Sequence, residues 1–233
     1  MGDAGGYRPT MSEERARRLR RWHDDAYQEM LESLPRRLLY AELDLDLRVP
    51  RDVFPPSGGE AFHRLVRDEV RSSDRVLDMG TGSGISAILA AKTSSEVVAV
   101  DVNPKAVETA AANAARNGVA DRISVRQSDV FDAVEGRFDL MLFDPPFRWF
   151  PARDLLELST ADENYRALTR FMKEARDHMR PGGRILLHFG TSGDIDYLYY
   201  LIDQAGFAKE TLWTEQLTKE DLTVTYYVFR LTA

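Results

Sequence analysis

The sequence contains no cysteine among its 233 residues. Disulfide bonds, thiolate metal sites and cysteine nucleophiles are therefore excluded, and the spacing of the four histidines does not indicate a metal pair. The sequence also has no run of about 18 apolar residues and no apolar segment behind its polar N-terminus, so we expect neither a membrane span nor a signal peptide. These features predict a cytoplasmic protein without a metal ion.

Positive charge is also scarce, because 31 lysines and arginines face 38 aspartates and glutamates and give a net charge of −7. Proteins that bind phosphate backbones usually have a basic balance or a basic face. One basic cluster exists, but acidic residues follow it at once, which favours a solvated helix face. Its members are Arg15, Arg17, Arg18, Arg20 and Arg21. The charge balance therefore disfavours a nucleic acid substrate.

The first fifty residues read as an extension made of a helix and a strand. Residues 1–9 are glycine-rich, and we expect them to be disordered. Thr10 and Glu13 form a capping-box pattern, which predicts a helix from there to Pro35. Leucine and valine alternate with charged residues over 43–49, which is typical of a half-buried strand in a small antiparallel unit.

From residue 75 onward, strand patterns alternate with helix patterns. The predicted strands are 75–80, 96–102, 122–127, 138–144, 184–190, 209–217 and 222–231. A helix is predicted from Thr160 and Glu163 to about Arg180, and the last two strands form a hairpin. Alternation of this kind predicts an α/β fold: a Rossmann-like, doubly wound, mainly parallel sheet with a C-terminal antiparallel hairpin. We expect one domain over 54–233, preceded by the extension over 10–53.

The segment "LDMGTGSG" follows the first of these strands and opens a helix. Its three alternating glycines, Gly80, Gly82 and Gly84, permit positive φ angles and a close approach of the backbone to a ligand. A tight β–α turn that binds no ligand would not require three alternating glycines. We therefore expect a ligand site here, with Asp78 at its mouth.

Two further acids follow the next two strands. Asp101 lies about twenty residues beyond the glycines, the spacing at which a carboxylate reaches ribose hydroxyls. Its alternative role is to cap the following helix, which Asn103 could do instead. Ser128 and Asp129 follow the third strand, where a carboxylate can accept a hydrogen bond from an adenine amino group.

The stretch "FDLMLFDPPFRWF" ends the fourth strand on Asp144, Pro145, Pro146 and Phe147. The prolines stiffen the loop and leave their carbonyl groups as free acceptors. A side-chain acceptor and a rigid carbonyl can hold the two hydrogens of an NH₂ group, while Phe147 stacks on a flat substrate. We therefore expect Asp144, Pro145 and Phe147 to be catalytic, mainly by orienting a nitrogen.

Several neighbouring residues have two open interpretations. The residues Pro146, Arg148, Trp149, Phe150 and Arg153 either line the substrate entrance or pack against the surface of the fold. His188 ends the fifth strand, where it either faces the substrate or is a buried, hydrogen-bonded histidine. The second interpretation is favoured for His188.

The spacing G-x-G-x-G, with Asp78 two residues earlier, resembles the class I S-adenosylmethionine-dependent methyltransferases. The resemblance runs from about residue 54 to the end of the sequence. It implies that the glycines line the methionine part of S-adenosylmethionine, that Asp101 holds the ribose and that Asp129 faces the adenine. The implied cofactor residues are Asp78, Gly80, Thr81, Gly82, Gly84, Asp101, Val102, Asn103, Ser128, Asp129 and Val130.

The Asp-Pro-Pro-Phe sequence matches the [N/D]-P-P-[Y/F/W] motif of amino-methyltransferases. Together with "DVFPPSGGEAF" and "ANAARNG" it resembles the HemK-like release-factor glutamine methyltransferases and the related small-domain rRNA guanine methyltransferases. The chain departs from the glutamine enzymes in three ways: Asp144 replaces asparagine, His188 replaces an acid, and the N-terminal region is smaller.

The resemblance implies an N-methyltransferase for a planar amine or amide nitrogen of a small molecule or a protein side chain, with the extension on the substrate side. The alternative is an exocyclic base amine of rRNA or tRNA.

Overall fold

A computed structural model describes residues 7–56, 60–219 and 221–233, which form two β-sheets. The strands are β1 (Arg36–Tyr40), β2 (Leu45–Val49), β3 (Arg75–Met79), β4 (Glu96–Asp101), β5 (Ile123–Gln127), β6 (Phe138–Phe143), β7 (Met179–Gly190), β8 (Ala208–Lys219) and β9 (Leu222–Thr232). The larger sheet has the order β5-β4-β3-β6-β7-β9-β8. Its first five strands are parallel and β9 is antiparallel to both neighbours, which confirms the predicted α/β fold.

Helices cover both faces of this sheet. They are α1 (Glu13–Ser33), α2 (Glu60–Glu69), α3 (Ile85–Ala91), α4 (Pro104–Arg116), α5 (Leu155–Leu158), α6 (Arg166–Glu174) and α7 (Ile195–Gln204). Alternate residues of β6 serve the two cores: Leu140 and Leu142 pack in the cluster that contains α3, and Met141 and Phe143 in the cluster that contains α6. In the described parts of the chain, none of the helices is long and apolar enough to cross a bilayer.

The register of the parallel strands brings the candidate residues to one edge. Met79 of β3 pairs with Phe143 of β6, so Gly80 and Asp144 follow side by side. Asp101 ends the parallel strand β4 at the same edge. Ligands of doubly wound sheets bind at this carboxyl edge.

Strand β7 lies beside β6 and parallel to it, and β9 is antiparallel to β7 on the other side. Leu187 of β7 pairs with Phe143, so the next residue, His188, lies beside Asp144. Strand β9 returns toward the other edge, where Thr232 pairs with Arg184.

The start of α1 differs from the prediction. The N-cap is Ser12, whose hydroxyl accepts a hydrogen bond from the Arg15 amide at 3.3 Å, so the capping box at Thr10 and Glu13 is wrong. Thr10 instead binds Asp194 at the start of α7, with its hydroxyl and with its amide, the latter at 2.7 Å. Thr10, which the local sequence predicts to be a capping residue, thus bonds the carboxylate of a residue far along the chain.

Disorder over residues 1–9 can be judged only in part, because residues 1–6 lie outside the described residues. Tyr7 donates its hydroxyl hydrogen to Asp194 at 2.6 Å and packs edge-on against Tyr165. The predicted disorder therefore does not extend to Tyr7.

Strands β1 and β2 form the small antiparallel unit predicted for the extension, with Leu38 opposite Leu47. The strand predicted over 43–49 begins later, because Leu43 belongs to a 3₁₀ turn over 41–43. Leu45 and Leu47 are buried against α2 and α3, so the extension shares a core with the large sheet.

The helix predicted from residue 160 to about 180 is also wrong in extent. Asn164 and Tyr165 have positive φ angles of 57° and 49°, which a helix does not permit. Helix α6 therefore begins after them, where Asp162 accepts hydrogen bonds from the Ala167 and Leu168 amides, both at 2.9 Å. Residues 179–190 already belong to β7.

Candidate active site

The three glycines after β3 have different roles. Gly80, Gly82 and Gly84 have φ angles of +70°, +52° and +87°. A Cβ atom on Gly80 or Gly82 would meet nothing within 4 Å, whereas one on Gly84 would lie 2.9 Å from the Ala110 Cα atom of α4. Gly84 therefore permits α3 and α4 to pack closely, and the first two glycines present open backbone to a ligand.

Asp78 is buried beneath this loop. Its Oδ2 atom accepts hydrogen bonds from the Thr81 hydroxyl at 2.6 Å and from the Ala87 amide at 3.1 Å. Burial raises the pKa of Asp78 to about 7, although these two hydrogen bonds lower it, and the negative charges of Asp101 and Asp144 raise it further. Asp78 thus holds the glycine loop together from below, a role that the motif alone did not indicate.

Asp101 holds the loop from the side. Its carboxylate accepts hydrogen bonds from the Gly82 amide at 2.9 Å and from the Asn103 amide at 2.9 Å, and burial raises its pKa. The cap of α4 is Asn103, whose side chain accepts from the Lys105 amide. The helix-capping alternative for Asp101 is therefore excluded, and its carboxylate lies between the glycine loop and the next one.

A small cleft opens beside Asp101. One wall is formed by Gly82, Asp101, Val102, Asn103 and Ala106, and the other by Val53, Phe54, Leu158 and Ser159. The second wall was not identified as part of a site from the sequence. Val53 and Phe54 belong to the "DVFPPSGGEAF" segment, so the resemblance carried a signal for them, but residues 57–59 of that segment lie outside the described residues.

The loop after β5 is tightly bonded to itself. The Ser128 hydroxyl donates to the Val130 carbonyl at 2.8 Å and accepts from the Ala133 amide at 2.9 Å. The carboxylate of Asp129 is one-third exposed and pairs with Arg166 at 3.0 Å. Asp129 therefore has a cationic partner that the sequence did not reveal.

Asp144 is a half-exposed carboxylate at the carboxyl end of β6. Its Oδ1 atom lies 2.9 Å from Nδ1 of His188, which is only 8% exposed. His188 is thus buried and hydrogen-bonded, as the favoured interpretation has it, and its partner is the first residue of the Asp-Pro-Pro-Phe loop. Pro145 is buried and Pro146 is half-buried.

Phe147 is half-buried and fixed on several sides. Its ring lies 5.5 Å from that of His188 in edge geometry and 4.9 Å from that of Phe189. Its carbonyl accepts a hydrogen bond from the Tyr165 hydroxyl at 2.7 Å, and that hydroxyl accepts from the Asp194 amide at 2.8 Å. Tyr165 is a support of the loop that sequence reasoning missed, because it comes from 18 residues further along the chain.

Two of the residues behind Phe147, Arg148 and Trp149, pack into the fold. Arg148 is buried and pairs with the buried Glu157 at 3.3 Å. Trp149 is buried in the large core cluster, and Phe150 lies under the guanidinium of Arg20 at 4.9 Å. For Arg148 and Trp149 the expectation of a substrate contact is therefore replaced by packing, since their partners fill the space around them.

Helix α1 crosses this edge of the sheet. Its His23 Nε2 atom lies 2.8 Å from the Ser192 carbonyl after β7, and Asp24 pairs with Arg153 at 3.1 Å in the loop after β6. Burial lowers the pKa of His23 to about 3, so its ring is neutral. The extension therefore covers the loops that follow β6 and β7.

The "ANAARNG" segment has a structural function in α4. The Asn117 side chain bonds the amide and carbonyl of Asp46, at 3.0 and 2.9 Å, and the Asn113 side chain bonds those of Arg48, at 2.9 and 3.0 Å. Two carboxamides thus satisfy the free edge of β2 and attach the small sheet to α4.

Comparison with known proteins agrees with this geometry. The sequence model of the family described as "Methyltransferase small domain" matches residues 58–192. The release factor glutamine methyltransferase of Cereibacter sphaeroides is 37% identical over an alignment of 150 residues, and the match covers 58% of this chain and 52% of that protein. The ribosomal protein L11 methyltransferase of Pelotomaculum thermopropionicum is 48% identical over 80 residues, or 34% of this chain and 26% of that protein.

Among solved structures, the precorrin 8w decarboxylase of Methanobacterium thermoautotrophicum superposes with a TM-score of 0.61. It is 17% identical, and the match covers 78% of this chain and 95% of that one. At this identity the likeness concerns the fold alone. The matched region spans between about a quarter and about half of the two curated relatives.

Proposed function

This chain belongs to the methyltransferase small domain family, and we propose that it is an S-adenosylmethionine-dependent N-methyltransferase that acts on an amide or amine nitrogen of a protein side chain. The observation that carries the proposal is the position of Asp144 next to the glycine loop. Strands β3 and β6 are neighbours in register, so a nitrogen held by Asp144 faces the ligand held by Gly80 and Gly82.

The residues after β3 and β4 fit the cofactor that the family implies. Gly80 and Gly82 leave open space where other residues have a side chain, and the Asp101 carboxylate borders the cleft next to Val102. We expect the glycine loop to receive the amino acid part, Asp101 the ribose, and the loop of Asp129 the adenine. When bound, S-adenosylmethionine supplies an electrophilic methyl group.

The loop after β6 supplies the orientation of the nitrogen. Pro145 and Pro146 keep this loop rigid, and their carbonyls and the Asp144 carboxylate act only as acceptors. They therefore select a group that offers N–H donors and direct its lone pair away from themselves. A nitrogen that gains a methyl group sheds a proton, and Asp144 is the acceptor placed to receive it.

A protein substrate is favoured over RNA by charge and by similarity. Both curated relatives described above are named for proteins that they methylate. Three of the five arginines in the basic cluster of α1 already have acceptors in this chain: Arg18 pairs with Asp221 at 2.7 Å, Arg15 donates to the Thr191 carbonyl, and Arg17 lies 3.7 Å from Glu13. These contacts weaken the case for the cluster as a phosphate-binding face.

Cofactor binding is tested first. We expect S-adenosylmethionine or its demethylated product to raise the melting temperature, whereas NAD does not, because the loop lacks the dinucleotide spacing. Equal shifts with both ligands, or no shift with either, would contradict the cofactor assignment.

The substrate class is tested by labelled methyl transfer into cell extract that is then separated into protein, RNA and small-molecule fractions. We expect the label in the protein fraction. The Asp144→Ala variant should bind the cofactor as before and transfer no label, because only the acceptor site has changed. Label in RNA would establish the base-amine alternative, and label in no fraction would contradict the proposed activity.

A further inference from the structure

Asp144 and His188 are hydrogen-bonded to each other at the carboxyl edge of the sheet. In the structure, Nδ1 of His188 lies 2.9 Å from Oδ1 of Asp144. The pair lies at the position where the substrate nitrogen is expected.

The His188 ring is held so that Nδ1 keeps facing Asp144. Phe62 of α2 stacks on it at 5.7 Å with an interplanar angle of 22°. Phe147 contacts it edge-on at 5.5 Å, and Tyr226 of β9 lies at 6.0 Å. A ring enclosed by three aromatic side chains cannot turn away without displacing them.

The chemistry of the pair determines which atom carries the hydrogen. An ionised carboxylate is only an acceptor, so the bond requires a hydrogen on His188 Nδ1. The bond occupies Oδ1 of Asp144 and leaves Oδ2 for a second donor. The other nearby imidazole, His63, is buried, and burial lowers its pKa to about 4, so it adds no positive charge that would compete for the carboxylate.

A second donor fixes the orientation of the Asp144 carboxylate. Both of its oxygens accept hydrogen bonds, so without such a donor the carboxylate plane can rotate and either oxygen can face the substrate. A donor that binds one oxygen holds the plane and leaves the other oxygen for the substrate. His188 provides that donor from a strand next to β6.

We propose that His188 is a positioning residue of the methyl-acceptor site: it holds Oδ1 of Asp144 through Nδ1–H and thereby directs Oδ2 at the substrate nitrogen. This inference rests on the proposed function, since it assigns a role within the same site.

The first test detects the hydrogen on Nδ1 of His188 directly and does not need a substrate. Long-range ¹H–¹⁵N correlation spectra of the histidine-labelled protein distinguish a protonated Nδ1 from a bare one, and the His188→Phe variant assigns the signal. We expect a protonated Nδ1 near neutral pH, and a change of that signal in Asp144→Ala. A neutral ring with its hydrogen on Nε2 would overturn the proposal, whether or not methyl transfer is found.

The second test uses two variants with opposite chemistry. His188→Phe keeps an aromatic ring between Phe62 and Phe147 but has no donor, whereas His188→Asn loses the ring and keeps an N–H group close to the position of Nδ1. We expect His188→Phe to lower kcat about 10- to 100-fold with unchanged cofactor affinity, and His188→Asn to stay within about three-fold of the original kcat.

Melting curves and cofactor binding show whether each variant is folded. Equal losses of kcat in the two variants, or an unchanged kcat in His188→Phe, would contradict a positioning role. If the unaltered protein methylates nothing, the proposed function fails, and the spectra still decide whether the pair exists as described.

Discussion

At the scale of single residues, Asp78 shows how burial changes the pKa of a carboxylate that the glycine motif predicts to bind a ligand. Its environment raises its pKa from 3.8 to about 7, so the folded protein binds a proton there more tightly than the unfolded chain does. The resulting stabilisation is fully present below about pH 3.8, decreases as the pH rises toward 7, and is absent above it.

The first prediction follows from this sign. Asp78→Asn replaces the carboxyl group by a neutral group of similar shape, so the variant lacks this contribution to the pH dependence. We expect the free energy of unfolding of the unaltered protein, relative to the variant, to decrease between pH 4 and pH 7, the window set by the shifted pKa. Urea unfolding of both proteins across that range measures the difference. A difference that does not change with pH would show that Asp78 titrates normally.

Tyr165 is a second residue whose role follows from its two hydrogen bonds. Its hydroxyl joins the Phe147 carbonyl to the Asp194 amide, and the ring is fully buried. Tyr165→Phe leaves a buried donor and a buried acceptor without this partner, which should cost about 1–3 kcal/mol of stability. It should also lower kcat more than it weakens cofactor binding, because the Asp-Pro-Pro-Phe loop loses its support. The matched control is Tyr200→Phe on an exposed ring, where we expect a change below about 0.5 kcal/mol.

At the scale of secondary-structure elements, the contact between α3 and α4 depends on one glycine. Both Gly84 and Gly118 have positive φ angles, of +87° and +71°, but only Gly84 faces a neighbouring backbone. An alanine at either position should cost about 1–2 kcal/mol in backbone strain. At Gly84 the clash with Ala110 should add about 1–3 kcal/mol.

Denaturant unfolding of Gly84→Ala and Gly118→Ala therefore separates the clash from the strain. Equal losses of stability in the two variants would mean that α4 can move away from the added methyl group without a further cost in free energy. A larger loss at Gly84 would show that the two helices are fixed relative to each other.

The seven strands of the large sheet were predicted from sequence because each is a short apolar or alternating run between turn residues. Strand β1 was not predicted, since "RRLLY" places two leucines in succession and has no alternation. The break before α6 was missed as well, because it depends on positive φ angles at Asn164 and Tyr165 that are held by distant contacts.

The residues of the candidate site also divide into those predicted from local sequence and those that depend on distant contacts. The glycines, Asp101 and Asp144 follow strands directly, so their positions could be read from the order of the elements. The bond between His188 and Asp144 depends on the pairing of β6 with β7, and the burial of Arg148 depends on Glu157. Neither the register of a parallel sheet nor the partner of a buried charge is encoded locally.

At the scale of the whole molecule, the extension and the large sheet fold as neighbours in one core. Leu45 and Leu47 pack in the cluster that contains α3, and α4 bonds the edge of β2 through Asn113 and Asn117. The boundary predicted at residue 54 is thus crossed by apolar and polar contacts. That the resemblance to methyltransferases begins near residue 54 stays a prediction.

Deletion of residues 1–53 tests this arrangement. We expect the remaining chain to be poorly soluble and to bind a hydrophobic dye, because the faces of α2 and α3 that contact Leu45 and Leu47 become exposed. The control is deletion of residues 1–6, which removes none of the contacts described above. A truncated protein that starts at residue 54 and unfolds cooperatively would show that the large sheet is an independent domain.

The direction of β9 determines where the protein can be attached to a probe or a surface. Thr232 pairs with Arg184 at the amino end of the parallel strands, while Asp144 and the glycine loop lie at the carboxyl end. Because the sequence has no cysteine, Thr232→Cys would introduce a single thiol on the side away from the cleft. Molecules immobilised through that thiol would all present the cleft to the solution, and a fluorophore placed there would not obstruct substrate entry.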